Sequence, residues 1–91
     1  MLIGIQALET AMERHLYDVM VEGTHGNQGF LKTVRICATS DAEAGDLAFS
    51  AALKAGLLPS RIEGITDAGP AGPDQAIGVT RGFGTSFFEK G

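Results

Sequence analysis

Polar and apolar positions alternate along two stretches of the chain, Leu16 to Glu22 and Phe30 to Ala38. In the first, Tyr17, Val19 and Val21 fall on one side and Leu16, Asp18, Met20 and Glu22 on the other. In the second, Phe30, Val34, Ile36 and Ala38 oppose Leu31, Thr33, Arg35 and Cys37. Successive side chains of a strand point to opposite faces, so both stretches read as strands of a sheet with one apolar and one mixed face. The intervening Gly23 to Gly29 reads as the flexible tip of a β-hairpin.

The period then changes. Ser40 followed three residues later by Glu43 has the spacing of a capping box, and the alanine- and leucine-rich run beyond it predicts a helix over Asp41 to Ala55. Gly56 suits the left-handed position just past a helix end, and Pro59 keeps the helix from resuming. Ala44, Leu47, Ala48, Ala51, Ala52 and Ala55 share one helical face, small enough to bring the backbone close to a sheet. Phe49 and Leu53 lie off that face as a second apolar flank.

Arg61 to Asp67 predicts a third strand, in which Ile62 and Ile65 have opposite parity unless a bulge at Gly64 brings them to one face. Ala68 to Gln75 carries loop chemistry, and Ile77, Val79 and Phe83 predict a fourth, glycine-weakened strand suited to an edge. Ile5 to His15 has helical spacing, although Met1 to Ile5 could equally begin a strand. The expected fold is α+β: a small antiparallel sheet of about four strands, order α-β-β-α-β-β, packed on the Ala-rich helix 41–55. One domain is expected over residues 1–91, with 1–15 an N-terminal helix or arm and 16–88 an α+β core with a flexible C-terminal end.

Composition narrows the function. Cys37 is the single cysteine, which excludes an internal disulfide and points to a reducing, cytoplasmic setting. The first residues lack a basic secretory n-region, and no apolar run approaches the roughly 20 residues of a membrane span. A formal charge of −4 with cations scattered along the chain disfavours nucleic acid as a partner. Cys37, His15 and His25 are the only candidates for nucleophilic or metal chemistry, and their spacing matches no ligand set or dyad, so neither a catalytic residue, a metal nor a cofactor is assigned.

Arg81, Gly82, Phe83, Gly84, Thr85, Ser86, Phe87 and Phe88 resemble the RNP1 octamer of RNA-recognition-motif domains in the basic-Gly-Phe-Gly opening and the final aromatic. That resemblance implies single-stranded nucleic-acid binding through Arg81, Phe83 and Phe88. Thr85 replaces an aromatic of the family pattern and Ser86 an apolar residue, and the segment lies too near the chain end for the family's following helix and strand.

The reading preferred from the residues is a non-enzymatic protein-interaction module that pairs with itself, as a homodimer, or docks on a partner protein. Its candidate contacts are the flank of Phe49 and Leu53, the mixed sheet face with Met20, Leu31 and Arg35, and the aromatics Phe87 and Phe88. Arg35 is expected to meet Asp18 or Glu22 across strands. An acidic inhibitor of the kind mobile genetic elements encode, occupying a cationic nucleic-acid channel, is the alternative that charge and size allow.

Overall fold

The computed structural model describes residues 13–89. Within them the chain runs β1 (His15–His25), β2 (Gln28–Ala38), α1 (Asp41–Lys54), β3 (Leu58–Pro70) and β4 (Gly78–Glu89). The fold is α+β, with a four-stranded antiparallel sheet in the order β3-β1-β2-β4. From β1 onward this is the expected succession. The N-terminal helix lies largely outside the described residues, and its last expected member, His15, opens β1 instead. There it is flanked by Ala38 and Pro70, with its Nδ1 3.0 Å from the Asp67 carboxylate.

The hairpin follows its predicted alternation but is longer than expected. The strands include Gly23 and Gly29 of the expected flexible tip, and His25 pairs with Gln28 around a two-residue turn, Gly26 and Asn27. Two aromatic rings explain why Gly23 and Gly29 belong to strands. A β-carbon on Gly23 would collide with the Phe30 ring and the β3 backbone at Leu58 and Pro59, and one on Gly29 would collide with the Phe88 ring. These glycines make space for a neighbour across the sheet rather than mark a turn.

Helix α1 has the predicted caps. The Ser40 hydroxyl accepts from the Glu43 N–H at 3.1 Å, and the Glu43 carboxylate accepts from the Thr39 N–H at 2.8 Å. The reciprocal bond of the box is thus displaced one residue upstream. At the other end the Leu57 N–H reaches the Ala52 carbonyl and the Gly56 N–H the Leu53 carbonyl, each at 3.0 Å, which is a Schellman closure. It requires the left-handed conformation that Gly56 adopts, φ 83°.

The core lies between α1 and one face of the sheet. Ala44, Ala48 and Ala52 sit over Val19, Val21, Phe30, Val34 and Ile36, with Leu57 closing one end and Leu47, Ile62 and Ile65 packed at the margin. Ile62 and Ile65 share this face because the register slips at Glu63, next to Gly64, so that they oppose Val21 and Val19 respectively. A bulge is therefore present as expected, but at Glu63, with Gly64 itself paired to Met20. Ala55 stays exposed, and Ala51 is only half-buried.

Residues 71–77 carry the chain from β3 on one edge to β4 on the other, later than expected because Ala68 to Pro70 continue β3. They cross the end of the hairpin, tied by the Ala71 N–H to the Arg14 carbonyl at 2.9 Å and by the Arg14 guanidinium to the Gln75 carbonyl at 2.8 Å. The thiol of Cys37 sits beneath, fully buried and 3.8 Å from the Gln75 carbonyl.

The glycines make opposite predictions. Gly23→Ala should lower stability by about 1–3 kcal/mol, since the new methyl meets β3 backbone that cannot move aside. Gly45→Ala should raise it by up to about 1 kcal/mol, because in α1 the added β-carbon makes only ordinary contact with Ile65 and Ile62. Urea denaturation of both variants checks the two signs.

Candidate functional site

Strand β4 decides where the candidate residues go. It pairs with β2 from Cys37 opposite Gly78 to Gln28 opposite Glu89, with two slips in register. In one of them Gly82 opposes Val34 and Thr85 opposes Lys32, so Phe83 and Gly84 together face Thr33. The extra residue is accommodated at Gly84, whose φ of 104° favours glycine. This bulge reverses the alternation. Arg81 and Phe83 project on the open side of the sheet, away from α1. Beyond the bulge, Thr85 and Phe87 fall on the helix side and Phe88 on the open side, as their partners Lys32, Phe30 and Gly29 require.

Phe83, Phe87 and Phe88 are 45 %, 47 % and 44 % exposed. Two guanidinium groups lie over the Phe83 ring, that of Arg35 at 5.3 Å and that of Arg81 at 5.1 Å from its centroid. Arg35 is itself fixed by Asp18, directly opposite on β1, through parallel bonds of 2.7 and 2.9 Å. Of the two expected partners it is Asp18 that serves; Glu22 binds Arg61 at 2.8 Å, and Arg61 also reaches Glu63. Phe88 covers Gly29, and Phe87 lies beside Phe30 with its ring 5.7 Å from that of His25.

The nominated contacts therefore divide among three surfaces. Phe49 lines a shallow groove between α1 and β3 with Gly45, Ile62 and Ile65, and Leu53 stands exposed on the same helix. Met20, Leu31 and Arg35 lie half-buried on the open sheet face, where Phe88 joins them. Phe87 is on the helix side of β4. The adjacent aromatics, nominated together, thus serve opposite faces.

Lys32 joins the site although its sequence position alone does not single it out. Its parity places it between Phe30 and Val34 on the apolar side, opposite Val21. There it is half-buried, with its ammonium 3.3 Å from the Thr85 hydroxyl and no carboxylate partner among the described residues. The alternation of the strand carried this signal, since a lysine at an inward position asks for a partner.

Cys37, His15 and His25 do not converge. The two histidines occupy opposite ends of β1, and the register puts Cys37 on the open face and His15 on the other. Among the described residues no group of three or more His, Cys, Asp or Glu side chains is arranged to hold a metal ion, and no helix is long and apolar enough to cross a membrane.

Comparison with protein-family models, with curated proteins and with solved structures gave no match to this chain.

The Arg35 hydrogen bonds hold the Asp18 carboxyl below the ordinary carboxylate range, against the opposing effect of burial. A lowered folded-state value means that stability from this pair is complete above the unfolded carboxylate pKa of about 3.9 and disappears as pH falls through the folded value. Asp67, held down by the Gly69 N–H and by His15, acts in the same direction. Urea midpoints should therefore drop as pH is lowered below about 4. Asp18→Asn should flatten part of that drop while lowering the midpoint at neutral pH. A variant with the wild-type acid slope would show that the pair contributes nothing.

Proposed function

We propose that the protein is a non-enzymatic interaction module that recognises protein through the β4 side of its sheet. One observation carries this reading: of the seven exposed large apolar side chains among the described residues, Val79, Phe83, Phe87 and Phe88 all belong to β4. Such side chains scattered singly are unremarkable, but here four stand on one strand that is an edge of the sheet among the described residues, Phe83 and Phe88 on the open face and Val79 and Phe87 on the helix side. A protein interface combines apolar and polar contacts, and here Arg81 and Ser86 stand between these apolar side chains and Glu89 just beyond them. A cytoplasmic setting accords with the single, buried, free thiol of Cys37.

The shared open-face placement of Arg81, Phe83 and Phe88 supports a second reading, stacking of a single-stranded nucleic acid. It predicts oligonucleotide affinity that falls steeply with salt and with Phe83→Ala.

A photo-reactive phenylalanine analogue placed at Phe83 or Phe88 in cells should give adducts with protein, while the same group at Thr66, on the opposite edge, should not. Adducts with nucleic acid alone would transfer the function to the second reading. Absence of adducts at both β4 positions would overturn both.

A further inference from the structure

The two edges of the sheet are built differently. β3 carries Pro59 and Pro70, slips register three times against β1, and displays Arg61, Glu63 and Asp67. Proline, bulges and charge are the usual means of keeping a sheet edge from pairing. β4 has no proline, bears no charge between Arg81 and Glu89, and is regular from Thr85 onward. We propose that the protein recognised by β4 is a second copy of this chain, the two Thr85–Glu89 segments pairing antiparallel about a two-fold axis at Phe87. This rests on reading β4 as the interaction surface and adds the identity of the partner.

The register follows from geometry. Residues opposite each other in antiparallel strands share a face, and the bulge at Phe83 and Gly84 breaks the alternation that pairing needs. The continuous segment is thus Thr85 to Glu89, and only centring on Phe87 uses all of it. Phe87 then meets Phe87, Ser86 meets Phe88, and Thr85 meets Glu89, each contact occurring twice or lying on the axis as an isologous interface demands.

Charge supports the same register. Thr85 is where the Lys32 ammonium rests, 3.3 Å from its hydroxyl, on the helix side and without a carboxylate among the described residues. Glu89 shares the parity of Phe87, is exposed, and has no cation among the described residues. Pairing of Thr85 with Glu89 brings the carboxylate of each copy to the half-buried Lys32 of the other. Strand addition supplies the main-chain bonds, Phe87 the apolar centre, and Lys32 with Glu89 the choice of register. A five-residue strand pair falls at the small end of interfaces, below the roughly 1,200–2,000 Å² of stable complexes, so the dimer should dissociate on dilution.

Light scattering coupled to size exclusion, run on the full chain from low micromolar to near-millimolar concentration, should show the mass rising from 9.5 kDa toward twice that value. Glu89→Lys, which sets like charges together at both ends of the pair, should weaken dimerisation by about tenfold or more. Lys32→Glu combined with Glu89→Lys should restore it. Phe87→Asp should leave a monomer, with circular dichroism confirming its fold. A wild-type monomer at every concentration overturns the proposal, and β4 cross-links to a different protein would then leave the interaction surface standing. A dimer indifferent to Phe87→Asp, or a charge swap that fails to rescue Glu89→Lys, overturns it as well.

Discussion

A helix is about 10–12 Å across with its side chains, whereas four strands spaced about 4.8 Å apart present a wider surface than one helix can cover. In this chain α1 is the one helix among the described residues, and the distribution of buried and exposed side chains follows from where it sits. Its alanine row lies over β1 and β2, whose inward residues Val19, Val21, Phe30 and Ile36 are completely buried. Its margin leans toward β3, where Ile62 and Ile65 gain partial cover. The far edge, β4, is left outside, and Val79 and Phe87 on its helix side remain about half exposed.

The alanines make this arrangement possible and limit it. Small side chains at Ala44, Ala48 and Ala52 let the helix approach the hairpin closely, so the central apolar pairs are excluded from water. A closely seated helix cannot also reach outward. The aromatics compensate within the sheet: Phe30 lies across Gly23 on the covered face and Phe88 across Gly29 on the open one, each ring filling the space that a glycine leaves. The hairpin is thereby packed by a ring on each face at its turn end, which is also the end where Thr85 to Glu89 pair with β2. The candidate edge is therefore paired along its length with the strand that carries Phe30.

Much of this was legible in the residues, and the failures share a cause. Ser40, Glu43 and Gly56 act within a few positions of themselves, so the helix and its caps could be read locally. The conflict of parity between Ile62 and Ile65 likewise announced the bulge that the register contains at Glu63. Gly23 and Gly29 misled because a glycine looks the same whether it makes a turn or makes room, and the ring that needs the room is far away in the chain for Phe88. Phe87 and Phe88 could be nominated as contacts from the sequence. Their separation onto opposite faces could not, because it depends on the bulge at Gly84, which is defined only against β2.

The open face and the β4 edge differ in what they leave unsatisfied. On the open face the guanidinium of Arg35 is committed to Asp18 and that of Arg61 to Glu22 and Glu63, so Arg81 is the cation there without a carboxylate among the described residues. A phosphate backbone approaching this face would meet Asp18, Glu22 and Glu63 beside their partners, with little net positive potential to hold it. Arg35 and Arg81 both already lie over the Phe83 ring, so a stacking base would compete with them for it. The β4 edge has no such internal settlement: its outward backbone groups, the ring of Phe87 and the ammonium of Lys32 beside Thr85 all lack a protein partner among the described residues that fully answers them. What this surface lacks is a strand with an aromatic at its centre and a carboxylate at its end, and Thr85 to Glu89 of another copy is such a strand.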